Sequence, residues 1–368
     1  MKKFIAIPVL CFVTLFISAC GGTEIDNNPA PIVWGGTTFQ PKSIEKSRKQ
    51  QVYNQVSFSG YGKNGTIEKV VTTPDQTVVE NIKMPGYSAE KVVFKGISGD
   101  FREAFNFYLS GRAETFFLQP DDGNVPRVHL DGFSASNETY QHNGARVEIG
   151  SVESRDLSIG KVGRTEAADI VVREGGHMAK IGRLAFNRVE VPEEIENNPE
   201  NMLIDNLSIS DISVPALNLT VEKIRLNYAE NSLDTSIDNA SAPGAILALV
   251  GITNPPAVLN ASFSGSAKVS KKKIQAQAAL DLKNLLDLKF DLTGSLDNRD
   301  FDRLNFTLKD LGALPYLSQK TVAELSMLGM FVPGGNEAIQ KFLSRPGQTL
   351  TGSIVLVPGE EDFKFTVK

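Results

Sequence analysis

The sequence predicts a mainly β protein: an elongated, largely antiparallel sheet, built as a curved sheet, a groove or a sandwich-like stack, with a few short helices. Three observations predict it. Leu286-Asp287-Leu288-Lys289-Phe290-Asp291-Leu292 alternates strictly, so a strand there has one apolar and one charged face. Upstream, short apolar pairs recur around a turn-forming residue, as in Val78-Val79-Glu80-Asn81-Ile82 and Leu203-Ile204-Asp205-Asn206-Leu207. The connections between such runs are short, which favours antiparallel pairing, because parallel strands need a crossover.

Taken in order, Met1-Lys2-Lys3 is a basic start, and Phe4 to Ile17 is an apolar run too short to span a bilayer. Residues 1–19 therefore fit a signal peptide. Residues 20–50 read as a flexible tether rich in Gly, Asn, Pro and Thr, with a weakly helical stretch over 42–51. Residues 51–240 carry the repeated strand units, interrupted by one expected helix over 101–117 and an acidic loop over 192–199. Glycines inside these units suggest bulges or bends.

Residues 241–368 read as a meander with inserted helices. Strands are expected at 274–278, 286–292 and 304–308, with a terminal hairpin at 353–357 and 363–367. The stretch 245–251 is apolar all round, 318–331 is an amphipathic helix, and 336–343 continues it beyond Pro333-Gly334-Gly335.

Composition excludes several classes. With 41% hydrophobic and 22% charged residues the chain is neither disordered nor fibrous. A net charge of −5 with scattered Lys and Arg lacks the basic footprint of a nucleic-acid binder.

Catalytic signatures are missing from the residues. The three histidines, His129, His142 and His177, are not paired at metal-ligand spacing, and neither H-E-x-x-H nor G-x-S-x-G occurs. S-x-x-K strings such as those starting at Ser43, Ser88 and Ser270 do not open a convincing buried helix. Asp121-Asp122-Gly123-Asn124 and Asp297 to Asp302 suit turns better than a cation site. No catalytic residue, metal site or cofactor is assigned.

Ile17-Ser18-Ala19-Cys20-Gly21 resembles the lipobox of bacterial lipoproteins. The resemblance implies cleavage before Cys20, acylation there and a membrane anchor. Gly21, in place of Asp, implies sorting to the outer membrane. Cys11 would leave with the signal and Cys20 would be consumed by lipid. Loss of Lys2 and Lys3 would leave 36 basic against 43 acidic residues, a net charge of −7. Acyl chains at ~0.8 kcal/mol per buried CH₂ would anchor the chain stably.

The runs at 280–294 and 304–312 resemble the β-rich envelope proteins of the AsmA-like group. That likeness implies a curved sheet with a hydrophobic groove and a role in lipid movement or outer-membrane assembly. On this reading Leu286, Leu288, Phe290, Leu292, Leu304, Phe306 and Leu308 line the groove, and residues 245–251 and 327–332, with Met327, Met330 and Phe331, are apolar lids. A filled core is the alternative for the same face. The functional expectations are a lipid-binding or envelope-assembly lipoprotein on the periplasmic side, or a scaffold lipoprotein that binds another envelope protein. A hydrolase comes third. Expected partners are the membrane, through Cys20, and lipid acyl chains or an envelope protein, but no nucleic acid.

Overall fold

The computed structural model describes residues 23–34, 37–60, 63–98, 129–158, 161–190, 202–229, 231–250, 255–295, 300–332, 334–356 and 363–368. The expected signal peptide, Cys11, Cys20, the 101–117 helix and the 192–199 loop lie outside them. The fold is mainly β and antiparallel, with two short α-helices among the described residues. It divides into two compact units, one from residues 1–142 and 150–159, the other from 143–149 and 160–368.

The first unit is a meander of β5 (Gln51–Gly60), β6 (Lys63–Thr72), β7 (Gln76–Met84), β8 (Tyr87–Ser98) and β9 (His129–His142), each antiparallel to the next. The segment expected as a tether instead carries β1 (Glu24–Asp26), β2 (Ile32–Trp34), β3 (Thr37–Gln40) and β4 (Ser43–Lys46). β3 and β4 pair with opposite halves of β5. Strand wins over helix at 43–46 because Ile44 and Phe39 are buried, and a Ser47–Gln50 turn returns the chain into β5. The core of this unit is an apolar face that includes Val56, Ile67, Val79, Ile82, Val92 and Phe94.

β10 (Ala145–Ser158) is shared out between the units. The second unit then contains β11 (Lys161–Val162), β12 (Thr165–Glu174), β13 (His177–Phe186), β14 (Arg188–Glu190), β15 (Leu203–Val214), β16 (Leu219–Ala229), β17 (Ser232–Pro243), β18 (Val258–Ser270), β19 (Lys273–Leu282), β20 (Leu286–Ser295), β21 (Asp300–Asp310), β22 (Thr349–Leu356) and β23 (Phe363–Val367). From β15 to β23 each strand is antiparallel to the next. Between β21 and β22 stand α1 (Gln319–Met330) and α2 (Gly335–Ser344). The stretch 244–250 is a 3-10 helix.

The turn-forming residues inside the strand units do not end strands. Asn81, Asn137, Asp169, Asp211 and Asn239 sit mid-strand with φ of 54°, 50°, 56°, 57° and 47°. They are aligned. Glu68 faces Asn81, which faces Glu90, which faces Asn137. In the second unit Asp169 faces Gly182, which faces Asp211, then Glu222, then Asn239. Left-handed backbone is least costly for Gly, Asn and Asp, which explains the residue types. At each crease the apolar face moves from period two to a spacing of three, as in Val79/Ile82, Ile209/Ile212 and Val221/Ile224. Gly182 is required at its position, because a Cβ there would lie 2.7 Å from the Asp211 Cβ.

Candidate apolar face and groove

The strand register of the second unit assembles the candidate residues into rows. Ile237, Phe263, Leu280, Leu288, Leu308 and Leu350 are successive cross-strand partners from β17 to β22. A second row runs Thr235, Gly265, Ala278, Phe290, Phe306, Gly352, and a third Leu233, Ala267, Ala276, Leu292, Leu304, Ile354. Directly opposed residues share a face, so these three rows form one apolar surface. It continues onto β16 and β15 through Ile224/Ile209 and Leu226/Leu207. The alternate rows, such as Asp234, Ser266, Gln277 and Asp291, form the polar face.

The apolar face is neither dry nor bare. Leu288, Leu292 and Leu304 are half-buried, and Phe290 is 37% exposed. At the β21–β23 edge the face is closed: α2 lays Ile339 and Phe342 on Leu350 and Val367, with Phe306 and Leu308 packed beside them. Phe306 also lies against the bare backbone of Gly352, where a Cβ would come within 2.3 Å of the ring. At the strand ends Leu286 packs with Leu247, Leu259 and Leu285. Between these covers, β15 to β20 keep most of their apolar side chains half-exposed among the described residues, Val221 on β16 being buried.

Of the ten expected groove residues, the seven on β20 and β21 therefore come together on one face. Leu288, Phe290, Leu292 and Leu304 remain accessible, whereas Leu286, Phe306 and Leu308 join packed clusters. Met327, Met330 and Phe331 are not brought over them: they are 56%, 71% and 81% exposed on α1 and just beyond it. The described part of the 245–251 stretch, residues 245–250, is tied down by Leu247. Sequence reading missed Ile237, Phe263 and Leu280 in the same row; the alternation of Ser262-Phe263-Ser264-Gly265-Ser266 was the signal available for Phe263.

Two shallow clefts of about 410 and 400 Å³ also lie on this sheet. One is lined by Thr235, Gly265, Ala278 and Phe290 of the second row with their neighbours Ser264, Gln277, Lys289 and Asp291, the other by Leu207, Leu226 and Thr235 with Ser208, Lys223, Arg225 and Ser236. Arg225 is engaged by Asp238 at 2.8 Å.

Chemistry-bearing groups stay dispersed. His129 lies 3.3 Å from Asp131 on β9, His142 ends that strand, and His177 begins β13. No three His, Cys, Asp or Glu residues come together as a metal cluster among the described residues. The S-x-x-K string at Ser43 is β4, that at Ser88 lies within β8 and that at Ser270 crosses the β18–β19 turn. A buried carboxylate held by ring hydroxyls is Glu138 in the first unit, whose Oε1 accepts from Tyr87 at 2.8 Å and Tyr140 at 3.0 Å. Burial pushes its pKa up against the pull of those bonds. No helix among the described residues is long and apolar enough to cross a membrane. No family model, curated protein or solved structure matches the chain.

Proposed function

We propose that this protein is an outer-membrane lipoprotein, anchored through Cys20, that binds lipid acyl chains on the apolar face of its second unit and serves lipid handling or envelope assembly without being an enzyme. One observation carries the acyl-chain part: among the described residues, the three in-register apolar rows are half-exposed from β15 to β20, while helices cover their edge and ends. Water contact on such a surface is unfavourable by ~25 cal/mol per Å². Covering it with an acyl chain recovers that energy without demanding hydrogen bonds. The row Thr235-Gly265-Ala278 is lined by small side chains between larger ones, which gives a tail a track to lie in. The lipobox-like Ile17 to Cys20 run supports the anchor.

Native mass spectrometry of the full chain from detergent, followed by organic extraction, tests the groove. Non-covalent lipid and displaceable binding of a fluorescent fatty acid are expected. Absence of both sinks the proposal. Metabolic labelling with a palmitate analogue tests the anchor separately, and Cys20→Ser should abolish incorporation.

A further inference from the structure

Antiparallel strands bring alternate connections to the same end of a sheet. At one end of the second unit lie the turn after β15, the 3-10 helix after β17, the β19–β20 turn and the exit from β21, as shown by the pairs Val214/Leu219, Pro243/Val258, Leu282/Leu286 and Leu286/Asp310. The α1–α2 hairpin is inserted there too. Its connection reaches the tail of edge strand β23, where a Cβ on Gly334 would sit 3.4 Å from the Val367 carbonyl oxygen.

Exposed apolar side chains gather at this end. Leu217 is 61% exposed in the first turn, and Ile246 and Val258 are each 54% exposed around the second. Leu311 follows β21 at 40%, and the hairpin adds Met327, Met330 and Phe331. Among the described residues, Phe290 is the only other large apolar side chain of this unit that is comparably exposed. Charge is segregated with them. Residues 239–267, 311–319 and 325–336 contain no ionisable Asp, Glu, Lys or Arg. The opposite end carries Lys271 and Lys272 in the β18–β19 turn and Lys268 and Lys273 beside it.

We propose that this end, whose few charges include Lys283 in the β19–β20 turn and those of the hairpin, docks on a phospholipid bilayer, with Leu217, Ile246, Met330 and Phe331 entering the headgroup–acyl boundary. Three features select a lipid surface over a protein. The exposed residues are separate tips on three connections, which a fluid phase accepts without a matching shape. They offer no hydrogen-bonding side chain to specify a partner. The hairpin 319–345 is also slightly cationic in an acidic chain: Lys320, Lys341 and Arg345 stand against Glu324 and Glu337, which suits phosphate headgroups. Docking of this end does not require that the apolar face holds lipid.

The test uses the full chain with one indole. Phe331→Trp and, as control, Lys272→Trp are each made together with Trp34→Phe, which removes the natural tryptophan. Vesicles of phosphatidylethanolamine and phosphatidylglycerol carry brominated acyl chains. The indole at 331 should shift to the blue and lose about half of its emission or more, as expected for burial in the interface, while the indole at 272 stays solvent-like. Equal quenching at both positions, or none at 331, overturns the proposal. So does a blue shift given by solubilised envelope proteins but not by vesicles. If native mass spectrometry finds no bound lipid yet the indole at 331 is quenched, the groove reading fails and this one stands.

Discussion

Asn81 on β7 donates its side-chain amide to the carboxylate of Glu68, directly across on β6, while its own backbone stands at φ 54°. The same pairing recurs as Asn137 with Glu90 and Asn239 with Glu222. Each joins an asparagine in left-handed backbone to a glutamate on the neighbouring strand, and together they mark the creases at which the apolar face changes spacing.

Asn81→Gly should therefore be tolerated within about 0.5 kcal/mol, since the backbone remains unstrained and only an exposed hydrogen bond is lost. Asn81→Val should cost ~2 kcal/mol, from a β-branched side chain forced into positive φ. Urea denaturation of the two variants checks the order. Equal stability would show that the crease does not depend on residue type.

Glu138 gives a pH prediction with a definite sign. Its folded pKa lies above the ordinary 4.5, first through burial, with the Tyr87 and Tyr140 hydrogen bonds opposing. A carboxyl raised on folding contributes its stability below the unfolded value, and that contribution is lost as pH rises through the folded one. Glu138→Gln should thus gain on the native protein in thermal stability as pH increases from about 4 upward. A constant difference between the two melting curves across pH would refute it.

Asp310, fully buried at the end of β21, organises the start of the helical insertion. Its Oδ1 accepts from the backbone of Gly312, Ala313 and Leu314 at 3.2, 2.8 and 3.3 Å, and Oδ2 accepts from Gly347 at 3.0 Å. Asp310→Ala should cost ~3 kcal/mol, because several backbone donors lose their acceptor in a buried site. Asp310→Asn should also destabilise, since one carboxylate oxygen becomes an amide that meets a backbone donor. Chemical denaturation with hydrogen exchange at residues 312–314 reads both.

On the apolar face, Phe290→Asp is the sharpest probe. Phe290 is already 37% exposed, so the substitution should cost no more than ~1 kcal/mol of stability while lowering fatty-acid affinity at least tenfold. Phe306→Asp should instead unfold the edge, because that ring packs on α2 and Gly352. Unchanged fatty-acid affinity in Phe290→Asp would separate this face from ligand binding.

The chain's own order of residues was enough to identify the strands that alternate strictly, because period-two alternation is a local consequence of the pleat. Leu286 to Leu292 and Leu304 to Leu308 were legible for that reason, and the helices near 319–330 and 335–344 through an amphipathic pattern of helical period. Asn81 and Asn206 were legible as turn formers, but not as left-handed residues inside continuing strands. A left-handed residue ends a strand or bends it according to whether a neighbouring strand continues past it, and that neighbour lies far away in sequence. Tertiary pairing likewise decided that Phe263 and Leu280 join Leu288 in one row, and that Ile44 enters a strand when its segment lacks an alternating pattern. It also separated Met330 and Phe331 from the leucines of the sheet. Hydrophobic spacing states which side chains avoid water; only the register and the packed helices determine which of them succeed.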